Sequence, residues 1–307
     1  MKVLITGASG QVGSHITKGL VHQGYRLRLL DQVEPREHPA EAEVLIGKIE
    51  DAKLVQEAVA GVDVILHLAW SFRDRVPELL QSDIAGLVNL LEGAVMARVR
   101  KIVLASSCVV YGRPITLPVN EDHPCAPETG RKPAYGVCKL FTEQLCRVYH
   151  REAELSYTIL RFWWAFGTTI GGRHLKAMIK DAQNTQTIAV PRGTGGSFLH
   201  LDDFTQAFGL AATDSRTDAR IYNLATVYVS WSEVAEMIAG ALGGSVRVHE
   251  VDTANWTGPG FFLEDWPLDT QRYDKIRPTP PRSREAAMDL FYRAIRNTVN
   301  EVMSEFR

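Results

Sequence analysis

The chain has 307 residues, of which 45% are hydrophobic and 23% charged, and its formal net charge is −2. That length buries a large core and suits one α/β domain with an appended lobe. Acids and bases are mixed throughout, so no basic face is offered to nucleic acid and no polybasic patch to a membrane. Cys108, Cys125, Cys138 and Cys146 form no CxxC pair and lack ligand spacing, so neither a metal site nor a redox motif is expected. The residue after Met1 already reads as strand and no apolar run reaches the length of a membrane span, so a cytoplasmic location is expected by elimination.

Residues 2–13, KVLITGASGQVG, carry an apolar run that stops at Thr6 and is followed by Gly7, Gly10 and Gly13. This is how a strand passes to a helix around a phosphate. Gly7 permits the tight turn, Gly10 removes a side chain where backbone must approach a pyrophosphate, and Gly13 lets the helix pack closely on the strand. The N–H groups at the start of that helix face the anion. A second apolar strand, YRLRLLD, ends at Asp31. A carboxylate there accepts hydrogen bonds from ribose hydroxyls and repels a 2′-phosphate, which favours NAD over NADP.

Further along, a Pro- and Glu-rich loop precedes a short strand at 44–46, a helix at 51–60 and an apolar strand at 62–68. A long helix is predicted over 78–97 and a buried strand over 101–106, ending in Ser106 and Ser107. An irregular Pro-rich loop covers 114–133. A helix at 135–153 and a strand at 157–161 complete six strands, an alternation that predicts a doubly wound parallel sheet. Short elements follow: a helix near 174–183, a strand at 187–190, a glycine-rich turn GTGG, a segment at 198–203, a strand at 221–225 and a helix at 231–242. The last helix, 283–306, aligns Ala287, Phe291, Ile295, Val302 and Phe306 on one stripe. Residues 1–167, with a return to the sheet near 198–225, are expected to form the dinucleotide-binding domain. Residues 168–197 and 226–307 are expected to form a smaller C-terminal substrate-binding lobe.

Tyr135 and Lys139 stand four apart in YGVCK, so both lie on one helix face. A phenol is a poor base near neutral pH unless a cation favours the phenolate, and Lys139 is the expected cation. Tyr135 would then take a proton from a substrate hydroxyl while hydride leaves the same carbon, with Ser107 orienting the substrate oxygen.

Together, TGASGQVG, Asp31, HLAW at 67–70, SSCVVYG at 106–112, YGVCK at 135–139, LRFWWAFG at 160–167 and LHLDD at 199–203 give a chain that resembles an extended short-chain dehydrogenase/reductase of the NAD-dependent epimerase/dehydratase family. The resemblance implies a Rossmann-type fold, NAD as cofactor and Ser107, Tyr135 and Lys139 as the catalytic triad, with Lys139 also on the nicotinamide ribose. It places Gln11 and Val12 at the pyrophosphate, Leu68, Ala69 and Trp70 where the chain passes the cofactor, and Phe162 beside the nicotinamide. It further implies a homodimer paired through the helices at 78–97 and 135–153.

This chain also departs from the pattern. Lys48 stands where an Asp usually touches adenine, with Asp51 nearby. Cys108 and Val109 replace the Asp-Glu pair of the dehydratases, which disfavours 4,6-dehydration. Trp164 replaces an Asn and Gly196 an Arg that hold a nucleotide sugar's phosphates. Trp70, Phe72, Trp163 and Trp164 read as an aromatic wall, although for two of the four core packing is an equal reading. Arg173, Arg192 and Arg272 are candidate phosphate binders, His67 reads as a satisfied strand-end histidine, and Asp202 and Asp203 read as a helix cap. The expected activity is NAD-dependent epimerisation or oxidation of a carbinol of a sugar or nucleotide sugar. The alternatives are a dehydrogenase of a non-nucleotide sugar, sugar acid or small alcohol, and a non-catalytic NAD-binding regulator.

Overall fold

A computed structural model of the chain describes residues 1–73 and 75–305. Seven strands form one parallel sheet: β1 (Lys2–Thr6), β2 (Arg26–Asp31), β3 (Glu43–Ile46), β4 (Val64–His67), β5 (Lys101–Ser107), β6 (Ser156–Phe162) and β10 (Arg220–Asn223). Their order is β10-β6-β5-β4-β1-β2-β3. The strand order reverses between β1 and β4, leaving a crevice at their carboxyl ends, the usual ligand position in such sheets. Side chains of β1 alternate faces, as a pleat requires. Val3 and Ile5 pack with Ile16 and Leu20 of α1 (Gln11–His22) and with Phe204 and Phe208 of α7 (Leu201–Thr213). Leu4 faces the other side, where Val55 of α2 (Ala52–Val59) meets Leu87 and Leu91 of α4 (Ala85–Met96).

The first long helical run begins as α3 (Val76–Leu79) and passes through a π turn, Leu80–Ile84, into α4. Contrary to the expectation that no apolar run is long enough, Val76–Met96 has the length and mean hydropathy of a membrane span. Half of its apolar window is buried in the molecule, as befits a core helix beneath a sheet. Pro133 occupies the first position of α5 (Pro133–Ala153), which ends at Glu154 in the left-handed conformation.

The remaining elements carry two small sheets. One is β7 (Trp164–Phe166), β9 (Gly195–His200) and β11 (Val227–Ser230); the other pairs β8 (Thr187–Pro191) with β12 (Arg247–Val251). The predicted turn GTGG is therefore only partly a turn: Gly193 has φ +71°, but Gly195 and Gly196 lie in β9. Around these sheets, α6 (Arg173–Thr185), α8 (Trp231–Ala241) and α10 (Arg284–Ser304) enclose a core of Phe166, Phe198, Trp231 and Phe291. Ala287, Phe291, Ile295 and Val302 share the buried stripe of α10, while Phe306 lies outside the described residues. After β9 the chain returns to the main sheet through α7, which packs on α1, and β10, whose register runs from Arg220 opposite Thr158 to Asn223 opposite Arg161.

Candidate active site

The β1-to-α1 turn explains its three glycines. Gly7 has φ +76°, and a Cβ there would stand 2.7 Å from the Ala69 nitrogen. A Cβ on Gly13 would lie 2.2 Å from the Gly7 carbonyl oxygen, so the helix approaches the turn's backbone only because Gly13 has no side chain. Gly10 is less confined, its nearest neighbour being the Gly7 oxygen at 3.4 Å, and it faces the crevice.

A cavity of about 410 Å³ opens there, lined among others by Gly7, Gly10, Asp31, Leu68, Ala69 and Trp70. The Asp31 carboxylate accepts hydrogen bonds from the Ser9 N–H at 2.8 Å and the Gln32 N–H at 2.6 Å. Three features left open here match a dinucleotide. The Trp70 indole nitrogen is buried without a hydrogen-bond partner among the described residues, ready for an acceptor oxygen. No side chain caps α1 at Gly10, which leaves N–H groups for a phosphate. The carboxylate of Asp31 borders the same cavity and suits ribose hydroxyls. Asp51 has another occupation, capping α2 through the N–H groups of Lys53 and Leu54.

Gln11, Val12 and Gly13 form the first turn of α1 and do not line this cavity. Phe162, at the end of β6, packs edge-on against Phe204 at 5.4 Å and lines neither this cavity nor its neighbour.

A second cavity, about 560 Å³, adjoins the first at Phe72 and contains Ser107 and Tyr135 together with Trp163, Trp164 and Arg173. Ser107 arrives as the last residue of β5, where its oxygen accepts from the Val109 N–H at 3.4 Å, and Tyr135 arrives in the first turn of α5. Burial raises the Tyr135 pKa, and a hydrogen bond with Ser107 pulls it back. Lys139 is placed differently from expectation. Its ammonium donates to the Ala105 carbonyl at 3.1 Å and sits 3.8 Å above the Trp70 ring. That indole in turn meets Tyr135 edge-on at 5.5 Å. The group lowering the Tyr135 pKa in this arrangement is thus Ser107, because the lysine charge is turned toward the Trp70 face. Burial pushes Lys139 itself down to about 8, against the pull of the Asp83 and Glu143 carboxylates.

These features agree with a comparison to known proteins: residues 3–225 match the NAD dependent epimerase/dehydratase family. The chain belongs to that family. It is 30% identical to a UDP-glucose 4-epimerase of Lactobacillus helveticus over 56% of this chain and 54% of the relative. A UDP-glucose 4-epimerase of Bacillus subtilis is 32% identical over 56% and 55%. The chain thus spans about half the length of the curated relatives it matches. Among solved structures, UDP-glucose 4-epimerase of Thermotoga maritima with UDP-glucose superposes at TM-score 0.79, with 19% identity and 100% of both chains covered. A short-chain dehydrogenase/reductase superfamily protein of Agrobacterium tumefaciens with bound NAD gives 0.79 at 23% identity, again covering 100% of both. At these identities the structural likeness establishes the shared fold.

Trp164, on the lobe side of the second cavity, and Gly196, behind Trp163, are two of the positions expected to depart from the family pattern. Trp163 stacks parallel to Phe261 at 5.8 Å, and Trp164 stacks on Phe198 at 5.6 Å. A Cβ on Gly196 would stand 1.9 Å from the Trp163 ring, and one on Gly172 would stand 2.3 Å from the Trp164 ring. Both tryptophans therefore line the cavity and belong to the lobe core, so the two readings of the aromatic wall merge. Phe72, exposed and at φ +54°, stacks over Tyr135 at 6.3 Å.

Of the three candidate arginines only Arg173 reaches the cavity. Arg192 pairs with Glu250 and Asp252, and Arg272 with Asp122 at 2.7 Å, so these two are surface ion pairs. Asp202 and Asp203 are first-turn residues of α7, whose cap is the His200 side chain, accepting from the Asp202 N–H at 3.2 Å. His67 is satisfied, its Nδ1 lying 2.7 Å from the Thr6 hydroxyl. Sequence reasoning missed Arg131, His174, Phe261 and Glu264, which also line the cavity. They come from irregular segments or the start of a helix, and the only signal was a basic pair, Arg131 and Lys132, beside Pro133.

Proposed function

We propose that this chain is an NAD-dependent oxidoreductase or epimerase acting on a carbinol carbon of a sugar or nucleotide sugar, with Tyr135 as the acid-base residue. The observation that carries the reading is the meeting of Ser107 and Tyr135 in a cavity adjoining the one lined by the glycine turn and Asp31. NAD, when bound, supplies the hydride acceptor and, for an epimerase, the donor to the opposite face. Ser107 orients the substrate hydroxyl through the oxygen that already meets Tyr135. Tyr135 takes the hydroxyl proton as the carbinol C–H bond breaks, leaving a carbonyl. With a pKa near 8, Lys139 is largely protonated at neutral pH, and in this reading its cation favours phenolate at Tyr135. Gly7, Gly10, Gln11, Val12, Gly13, Asp31, Leu68, Ala69, Trp70 and Phe162, with Tyr135 and Lys139, form the cofactor set in this reading. The non-catalytic alternative is disfavoured because both Tyr135 and Lys139 are retained beside the cavities.

The same reading has two copies pairing through α5 and the Val76–Met96 run in the cytoplasm. Val137, Phe141 and Val148 on α5 and Leu80 beside it are large hydrophobics left exposed, as an interface between copies requires. For the chemistry, Tyr135→Phe should lower turnover about 10²- to 10⁴-fold, the usual contribution of an acid-base group, with NAD affinity by calorimetry unchanged. Unaltered turnover would remove Tyr135 from the mechanism. Following NADH absorbance together with product stereochemistry separates the dehydrogenase from the epimerase.

A further inference from the structure

The second cavity says what kind of substrate Tyr135 meets. Trp163 and Trp164 are held from behind, Trp163 by Phe198, Trp231 and Phe261 at 5.1, 5.9 and 5.8 Å, and Trp164 by Phe198 and Phe261 at 5.6 and 5.4 Å. Packed on Gly196 and Gly172 at distances that admit no Cβ, they cannot turn aside without breaking the lobe core. This wall offers mainly aromatic carbon, which suits the C–H face of a sugar ring, and it brings no charged donor of its own to a diphosphate.

The charges gather around Phe261, the ring that also packs on both tryptophans. Arg131 stands over the Phe261 ring at 4.9 Å and is already paired with Glu264 at 3.4 Å. Arg173 has no ion pair or hydrogen bond among the described residues and lines the same cavity. His174, stacked on Phe261 at 4.7 Å, is held below its ordinary pKa by burial and by the charges of Arg173, Arg131 and Lys132, so three cations act on one point of the cavity wall. Arg173 is exposed to solvent on the cavity lining, and its planar guanidinium fork is free to take one carboxylate.

We propose that the substrate is a free sugar acid: a ring laid against Trp163 and Trp164, its single carboxylate on Arg173 and Arg131, and its carbinol at Tyr135, with no nucleotide attached. This rests on the carbinol reading above, so the test uses binding and needs no turnover. The NAD complex of Tyr135→Phe would be titrated calorimetrically with a hexuronate, the neutral uronamide of the same sugar, a hexose 6-phosphate and the UDP-hexose. The hexuronate should bind at least tenfold tighter than the uronamide, a difference of about 1.4 kcal/mol, and no weaker than the other two. Arg173→Gln should erase that preference while NAD affinity stays unchanged. Equal binding of acid and amide, or tightest binding of UDP-hexose, overturns the proposal. Tightest binding of the hexose phosphate overturns the carboxylate in favour of a phosphate, and absence of binding by all four overturns the site. If wild type fails to turn over any of them while the hexuronate binds as expected, the catalytic reading fails and the binding site stands.

Discussion

A lysine side chain buried against an indole face holds its charge at a cost. Lys139 has a folded-state pKa near 8 against an ordinary value of 10.5, so the unfolded chain carries more protons between those values and stability rises with pH across that window. At pH 7 the deficit is about 3 kcal/mol, partly offset by the Ala105 hydrogen bond and the Trp70 contact. Lys139→Met should therefore be more stable than wild type at pH 7 by about 1–3 kcal/mol in urea unfolding, and the gain should shrink toward pH 10 while turnover is lost. A less stable variant would mean that the indole contact outweighs desolvation. His67 behaves in the opposite pH range. Burial, with the Lys139 charge behind it, pushes its pKa to about 3, so the neutral ring is built in and stability falls as pH drops from about 6.5 toward 3. By pH 5 the loss is about 2 kcal/mol. His67→Gln should flatten that decline when unfolding is compared at pH 7 and pH 5. Tyr135, Lys139 and Ser107 were all legible in the sequence as types at set spacings. The direction of the Lys139 ammonium was not, because it depends on Trp70, a neighbour distant in sequence.

Between elements, β9 is coupled to the segment after β6 through Gly196 and the Trp163 ring. Gly196 lies in a strand whose six residues are all buried, and glycine there marks close approach of an aromatic ring, a common reason for glycine within a strand. Gly196→Ala should destabilise by about 2 kcal/mol or more, since the added carbon forces the Trp163 ring out of its packing. In combination with Trp163→Ala the two losses should not add, and thermal unfolding of the four proteins in the cycle measures the coupling. A run of Gly-Thr-Gly-Gly reads locally as a turn, which is why β9 begins earlier than expected. Strand β12 escaped for a similar reason: RVHEV is only partly buried and carries no continuous apolar signal.

At the scale of the whole molecule, α5 leaves Val137, Phe141 and Val148 uncovered on one chain, while its other face holds the Glu143–Arg161 pair, completely buried and joined at 2.9 and 2.5 Å. One helix thus serves both the sheet and the expected partner copy. Phe141→Glu should shift the mass measured by light scattering at micromolar concentration from dimer to monomer, with the circular dichroism spectrum unchanged. A wild-type monomer under those conditions would exclude the pairing.

The Rossmann-type sheet, its glycine turn and the Tyr135–Lys139 spacing were determined by the sequence itself, because each depends on local periodicity or on residues a few positions apart. Parallel strands covered on both faces announce themselves as apolar runs, and Gly13 is required by contacts within one turn, whereas the space at Gly7 is closed by Leu68 and Ala69, just past the neighbouring strand β4. The substrate side belongs to tertiary structure. Arg131, Arg173, Phe261 and Glu264 come from three separate stretches of chain, and only the folded lobe reveals that Arg192 and Arg272 are occupied elsewhere. Trp163 and Trp164 take their meaning from Gly196 and Gly172, whose missing side chains are interpretable only when the rings that fill their space are seen.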